Sequence, residues 1–299
     1  MGFGRVLTVG AAAALIALIL AAAPVGGARE SRAKDRIAFT FGESGVDRPS
    51  QLAVMDADGK NRRALRPFGL FGLSWSPDGR SIAFALVGFG KRRDGIYTMN
   101  VDGGNSRLVV RNGVDPDWSP DGRSIAFDRC GFRYCDRQIA RIWVVNLRDH
   151  RQRRVVRNGV SASWSPDGRK LAFERWRRKV PDVWLIDVNT KKERRLVRNG
   201  DNAEWSPDAR QIAFQRDDFI YVIRLDGSGQ RRLFEGDEPA WSPDGQEIAF
   251  IGSDARRGYH DAVMRERLDG SGRRVLFGQT GYCACGFLDW SAPPRRGRR

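Results

Sequence analysis

The sequence predicts an all-β fold in which six four-stranded units close into a ring. Three observations predict it. A W-S-P-D-G-type string begins at Trp75, Trp118, Trp164, Trp205 and Trp241, with a shortened copy, WSAPP, at Trp290; the spacings are 43, 46, 41, 36 and 49 residues. Each full copy is followed by the same succession of short runs with strand periodicity. The 299 residues hold 34 Gly against 4 Met, which suits many turns and little helix.

The elements repeat in order. A short apolar strand, B, follows each tryptophan turn: IAF at 82–84, 125–127, 212–214 and 248–250, and LAF at 171–173. A further IAF at 37–39 precedes the first tryptophan copy. Strand C alternates, as in LAVMD from Leu52, IYTMN from Ile96, IWVVN from Ile142, VWLID from Val183, IYVIR from Ile220 and VMRER from Val263. A polar turn then leads to an Arg-rich strand D (RRAL, RLVV, RRVV, RRLV, RRLF, RRVL). Strand A is the run ending in the tryptophan. One such unit cannot bury both of its faces. Stacking six around an axis does, and the result is a six-bladed β-propeller. The first unit lacks strand A, and the last tryptophan lacks B, C and D. Gly286–Trp290 is therefore expected to complete the blade begun by Ile37–Leu65 and to close the ring.

Trp75, Trp118, Trp164, Trp205, Trp241 and Trp290 read as wedges packed between blades. The Pro-Asp-Gly after each full copy is a turn. Proline presets φ, glycine accepts φ > 0, and the aspartate caps the turn in preference to binding metal. Ala209 replaces the glycine in one copy, so a distorted turn is expected there.

Residues 1–28 read as a secretory signal: Arg5, an uncharged run from Val6 to Ala23, then Gly26 and Ala28 before a cut at Arg29. An uncleaved membrane anchor is the alternative, because the uncharged run approaches the spanning minimum. Residues 29–35 are a linker, 36–291 the propeller and 292–299 a basic disordered tail. Export to the periplasm, cell wall or exterior makes disulfides the default for the four cysteines. Cys130–Cys135 reads as a local staple, whereas Cys283–Cys285 would close a strained ring. Zinc and free thiols are the other readings, although CxxxxC with CxC lacks the usual CxxC spacing.

The WSPDG…IAF…DG…RRL unit resembles the propeller repeat of the TolB family, named for the periplasmic component of the Tol–Pal envelope system. The resemblance covers roughly residues 36–291. It implies the fold strongly and a function weakly, since the same repeat occurs in exported binding proteins and beside peptidase domains. TolB places a separate α/β domain before its propeller. The short linker here has no room for one, which separates this chain from a full Tol–Pal role.

Enzyme signals are sparse. No GxSxG, P-loop, HExxH or strand-linked GxGxxG occurs, and His150 and His260 lie in a turn and a loop. No catalytic residue, cofactor or metal is expected. The candidate ligand site is the channel mouth, because A strands line a propeller's axis. One residue before each tryptophan stand Ser74, Asp117, Ser163, Glu204, Ala240 and Asp289; three before stand Gly72, Asp115, Ser161, Asn202, Glu238 and Phe287. Strand alternation is expected to place these on one side and Leu73, Pro116, Ala162, Ala203, Pro239 and Leu288 on the other. Asp115, Asp117, Asn202, Glu204, Glu238 and Asp289 would concentrate acid at the channel, either to bond neighbouring strands or to take a ligand or cation. Arg111, Arg157 and Arg198, from a repeated RNG in the D–A loops, would ring the mouth.

The net charge of +16 invites a polyanionic partner. Eleven arginines of the D strands account for most of it, and charged outer edges prevent sheet-to-sheet aggregation. No basic platform interleaved with aromatics points to nucleic acid. The expected function is a monomeric, non-catalytic, exported scaffold. It would bind an envelope protein or peptide through the long loops of the D–A/B–C face. A metal-dependent lactonase or esterase-type hydrolase, and a basic adhesin for anionic envelope polymers or a membrane surface, remain as alternatives.

Overall fold

The computed structural model describes residues 35–42, 51–57, 61–67, 70–87, 94–129, 140–177, 179–280 and 286–291. Twenty-four strands form six four-stranded antiparallel sheets. Blade 1 contains β1 (Arg36–Phe41), β2 (Gln51–Asp56) and β3 (Arg63–Pro67). Blade 2 is β4 (Leu70–Trp75), β5 (Ser81–Leu86), β6 (Gly95–Asn100) and β7 (Arg107–Arg111). Blade 3 is β8 (Val114–Trp118), β9 (Ser124–Arg129), β10 (Arg141–Asn146) and β11 (Gln152–Val156). Blade 4 is β12 (Val160–Trp164), β13 (Lys170–Arg177), β14 (Val180–Asp187) and β15 (Glu193–Val197). Blade 5 is β16 (Asp201–Trp205), β17 (Gln211–Arg216), β18 (Phe219–Arg224) and β19 (Arg231–Glu235). Blade 6 is β20 (Asp237–Trp241), β21 (Glu247–Asp254), β22 (Tyr259–Arg267) and β23 (Arg274–Thr280). The last strand, β24 (Gly286–Ser291), pairs with β1, so Trp290 lies opposite Ile37 and Asp289 opposite Ala38. The C-terminal strand therefore closes the ring as the repeat count requires. Among the described residues no helix is long and apolar enough to cross a membrane.

The core consists of six clusters, each spanning the seam between two blades. Trp75 packs with Ala38, Leu52 and Val54 of blade 1 and with Ile82 and Phe84 of its own blade. Trp205 and Trp241 bridge blades 4–5 and 5–6 in the same way, and Trp290 bridges blade 6 to blade 1. Trp118 and Trp164 are only partly buried and flank the remaining two seams. Apolar area on both faces of each sheet is thus removed from water, which one blade alone could not achieve.

The serine and aspartate of each SPD turn lock it. Ser206 Oγ donates to Asp208 Oδ1 at 2.6 Å, Asp208 accepts from Arg210 N–H at 3.0 Å, and Gln211 N–H donates to Ser206 Oγ at 2.9 Å. The same pattern holds at Asp78, Asp121, Asp167 and Asp244. The Ser206 hydroxyl, reinforced by the Arg210 amide, holds the Asp208 carboxyl below its ordinary range. The distortion expected at Ala209 does not occur. Ala209 takes φ 58° beside values of 64–71° at the equivalent glycines, and keeps the same 2.8 Å bond to Ser206 O. The alanine absorbs the left-handed strain locally and the turn keeps its shape.

The outer-strand arginines are fasteners. Arg63 donates to Val101 O at 2.8 Å, Arg153 to Val188 O at 3.5 Å and Arg231 to Leu268 O at 2.8 Å. Arg194 bonds Leu225 O. Each reaches from its own D strand to the C–D turn of the next blade. Part of the positive charge therefore ties blades together.

Candidate functional site

The inner strands converge on a cavity of about 150 Å³ on the ring axis. Each of β4, β8, β12, β16 and β20 carries a register shift just before its tryptophan. At that shift the backbone turns left-handed: φ is 70° at Gly72, 47° at Asp115, 52° at Ser161, 47° at Asn202 and 51° at Glu238. The bulge breaks strand alternation. The expected two-sided separation consequently fails. Leu73, Pro116, Ala162, Ala203, Pro239 and Leu288 border the same cavity as the polar sets, because an extra residue rotates the strand between them. What results is two polar rows, an outer one on the bulge and an inner one next to the tryptophans, with an apolar residue between them on each strand.

The inner row is consumed by bonds between blades. Asp289 Oδ2 accepts from Trp75 N–H at 2.7 Å. Ser74 Oγ accepts from Trp118 N–H at 3.0 Å and donates to Asp117 Oδ1 at 3.1 Å. Asp117 Oδ2 accepts from Trp164 N–H at 2.6 Å, and Ser163 Oγ donates to Glu204 Oε2 at 2.8 Å. The belt thus runs from blade 1 to blade 5. At blade 6 its position is Ala240, and the indole of Trp241 donates instead to Glu204 O at 3.2 Å. Burial pushes Asp117 up to about 7, with the Asp289 charge adding to it, and Asp289 up to about 6. Burial and then the charges of Asp117 and Asp289 hold Glu204 well above its ordinary value.

The outer row is strained and partly exposed. Asp115, Ser161, Asn202 and Glu238 hold polar side chains at left-handed φ, where glycine fits at less cost. Gly72 cannot do likewise, since a Cβ there would come within 2.7 Å of Asp115 Cα. Asn202 Nδ2 donates to Gln215 Oε1 at 2.9 Å and to Glu238 Oε1 at 3.3 Å. Burial, followed by the charges of Glu174 and Asp115, pushes Glu238 up to about 8.

A third set of polar residues escaped the sequence reading. Asp128, Glu174 and Gln215 each follow the phenylalanine of an apolar B strand. Asp128 accepts from Ser161 N–H at 2.7 Å and Glu174 from Asn202 N–H at 3.0 Å, each bonding the bulge of the next blade. Gln215 bonds Asp237 of blade 6. A polar residue directly after the same apolar triplet, in three successive repeats, was the available signal.

Arg111, Arg157 and Arg198 are exposed, and none of them borders the cavity. Their loops are anchored through backbone carbonyls instead: Arg175 donates to Asn158 O at 2.9 Å and Arg216 to Asn199 O at 2.8 Å. His150 and His260 are exposed. Among the described residues no three His, Cys, Asp or Glu side chains are grouped to hold a metal ion. Cys130, Cys135, Cys283 and Cys285, the segment 1–34 and the tail 292–299 lie outside the described residues.

Comparison with known proteins bears on the whole ring. A profile of the TolB beta propeller domain matches residues 114–282, more than half of the chain. TolB from Acinetobacter baumannii superposes with a TM-score of 0.74 at 20% identity, over 86% of this chain and 66% of that one. The chain thus spans just under two thirds of that protein's length. A protein assigned as TolB from Agrobacterium tumefaciens gives a TM-score of 0.62 at 19% identity, covering 87% and 99% of the two chains. A chain of a nidogen–laminin complex gives 0.64 at 13% identity, covering 86% and 98%. At these identities the structural matches establish the fold. No curated protein sequence matches the chain.

Proposed function

The chain belongs to the TolB beta propeller domain family, and from that premise we propose that it is an exported, non-catalytic scaffold whose cavity mouth binds a protein or peptide of the cell envelope. The observation that carries this reading is the outer row. Four consecutive blades keep Asp, Ser, Asn and Glu at left-handed φ around one opening, although glycine would relieve the strain. Outside turns, residues held in sparsely populated backbone regions cluster at functional sites, and that supports this reading. The inner carboxylates, by contrast, have structural work in the belt, which speaks against using them as a hydrolytic centre. The nidogen–laminin similarity offers a precedent for this fold within a protein–protein complex.

The test separates the rows. The immobilised protein is exposed to an envelope extract, retained partners are identified by mass spectrometry, and affinity is then measured by titration with the purified partner. Asp115→Asn with Glu238→Gln should weaken binding about tenfold with little change in melting temperature. Asp117→Asn with Glu204→Gln should lower stability by about 1–2 kcal/mol and leave the affinity of the folded fraction near wild type. Unchanged affinity of the outer-row variant would move the binding surface away from the mouth. Metal found by elemental analysis of purified protein, lost together with an esterase activity on removal, would favour the hydrolase.

A further inference from the structure

We infer that the tip of the β13–β14 hairpin is a docking point for an anionic lipid bilayer surface. Strands β13 and β14 have eight residues each, against six in β17 and β18 of the next blade. The hairpin therefore reaches roughly 7 Å further out on the face that carries the B–C connections. Its register places Arg177 opposite Val180 and Trp176 opposite Pro181. Val180 is 50% exposed, the one large apolar side chain so exposed among the described residues. Arg177 and Lys179 beside it are exposed too.

The nearby carboxylates are committed elsewhere. Glu174 accepts from the Trp176 indole at 3.0 Å and from Asn202 N–H at 3.0 Å. Asp182 pairs with Arg195 at 3.2 Å and accepts from Asn199 N–H at 3.1 Å. The Arg157 loop lies against the same hairpin, because Arg175 bonds Asn158 O, and Arg157 is exposed. The other long hairpin, β21–β22, serves as the internal contrast. Its tip also carries two arginines, but Arg257 pairs with Asp254 at 3.6 Å, and Asp261 follows on β22.

Cations beside a protruding aliphatic side chain and a tryptophan match the headgroup layer of an anionic leaflet. Basic side chains are drawn to its surface potential, and apolar groups gain by entering the acyl boundary. A soluble polyanion rewards only the charges. The inference is independent of the cavity and of what the cavity binds.

The experiment is co-sedimentation of the full chain with phosphatidylglycerol-containing vesicles and with pure phosphatidylcholine vesicles, at about 0.1 M salt, where surface charges are screened beyond about 10 Å. Binding to the anionic vesicles alone is expected. Each basic residue near such a surface strengthens binding about fivefold, so Arg177→Glu with Lys179→Glu should weaken it by about 25-fold or more. Arg256→Glu with Arg257→Glu makes the same change in net charge on the other tip and should leave binding within about threefold of wild type. Val180→Ser, which changes no charge, should weaken vesicle binding while leaving retention on dextran sulfate unchanged. Circular dichroism melting checks that every variant is folded. Equal losses from both charge variants would overturn the inference in favour of diffuse charge. Equal binding to both vesicle types, or retention on dextran sulfate with no vesicle binding, would overturn it as well.

Discussion

The two polar rows of the cavity are built from the same strands, a few residues apart, and they behave in opposite ways. In the inner row Asp289, Ser74 and Asp117 accept the tryptophan N–H of the next blade, and Ser163 donates to Glu204 across the following seam. The outer row, Asp115, Ser161, Asn202 and Glu238, sits on the bulge itself at left-handed φ and borders the cavity. A buried backbone N–H must find an acceptor, so the inner row is committed by hydrogen-bond accounting. Two amides of the outer row, those of Ser161 and Asn202, are served by Asp128 and Glu174 of the preceding blade. Acid near an axis is therefore two populations, told apart by their place relative to the bulge.

Removing the strand that carries the last member of the inner row should have the largest effect. Deleting 286–299 takes away Asp289, Trp290 and the fourth strand of blade 1. Loss of the buried tryptophan alone should cost about 3–5 kcal/mol, and the uncovered edge of β1 adds to that. Thermal melting should show no cooperative transition in the truncated chain. A melt within a few degrees of wild type would mean that the ring does not depend on β24.

A pH series comes next. The folded protein keeps protons on Asp289 up to about 6, on Asp117 up to about 7 and on Glu238 up to about 8, whereas their ordinary values are 3.8, 3.8 and 4.5. In that window the folded state binds more protons than the unfolded chain, so stability falls as pH rises. Asp208 acts in the other direction: held low by the Ser206 hydroxyl, it contributes above its ordinary value and is lost in acid. The urea midpoint should therefore peak near about pH 4, fall most steeply between about pH 4 and 6 and go on declining towards pH 8. Asp117→Asn should flatten the decline up to about pH 7. A midpoint that rises from pH 5 to 8 would show that these carboxylates are ionised and compensated in the folded ring.

The smallest effect tests strain without a ligand. Ala209 shares the left-handed φ of the outer row but lies in a turn between strands A and B, away from the cavity. Relief of about 1–2 kcal/mol of left-handed strain outweighs the roughly 0.5–1 kcal/mol that glycine costs in entropy. Ala209→Gly should stabilise the protein by about 0.5–1 kcal/mol in urea titration. No change would place the strain energy of the outer row below a useful threshold and weaken the argument built on it.

The repeat itself was legible because its parts are local. WSPDG marks a turn by proline, aspartate and glycine chemistry, and IAF marks a strand buried on both faces, so six copies specify six blades and the leftover tryptophan specifies closure. The polar residues that border the cavity were legible as a set, since counting back from each tryptophan finds them, whereas Arg111, Arg157 and Arg198 do not border it. Their grouping was not. Asp115 and Glu238 gave no sign of left-handed φ, because neither residue type demands it. The arginines of the D strands read as a solvated edge, and their reach to Val101, Val188, Leu225 and Leu268 depends on where the next blade's turn falls.

The sequence by itself determined the strand order, the turn chemistry and the seam tryptophans, because each is written into the repeated unit and recurs with it. Only the tertiary structure decided which acids bond across the seams and which sit on the bulge. That choice depends on a bulge whose acceptors come from neighbouring blades, such as Asp117 for Trp164 and Glu174 for Asn202. Hydrogen bonds made across a seam join residues roughly one repeat apart in the chain, and their geometry exists only once the ring has closed.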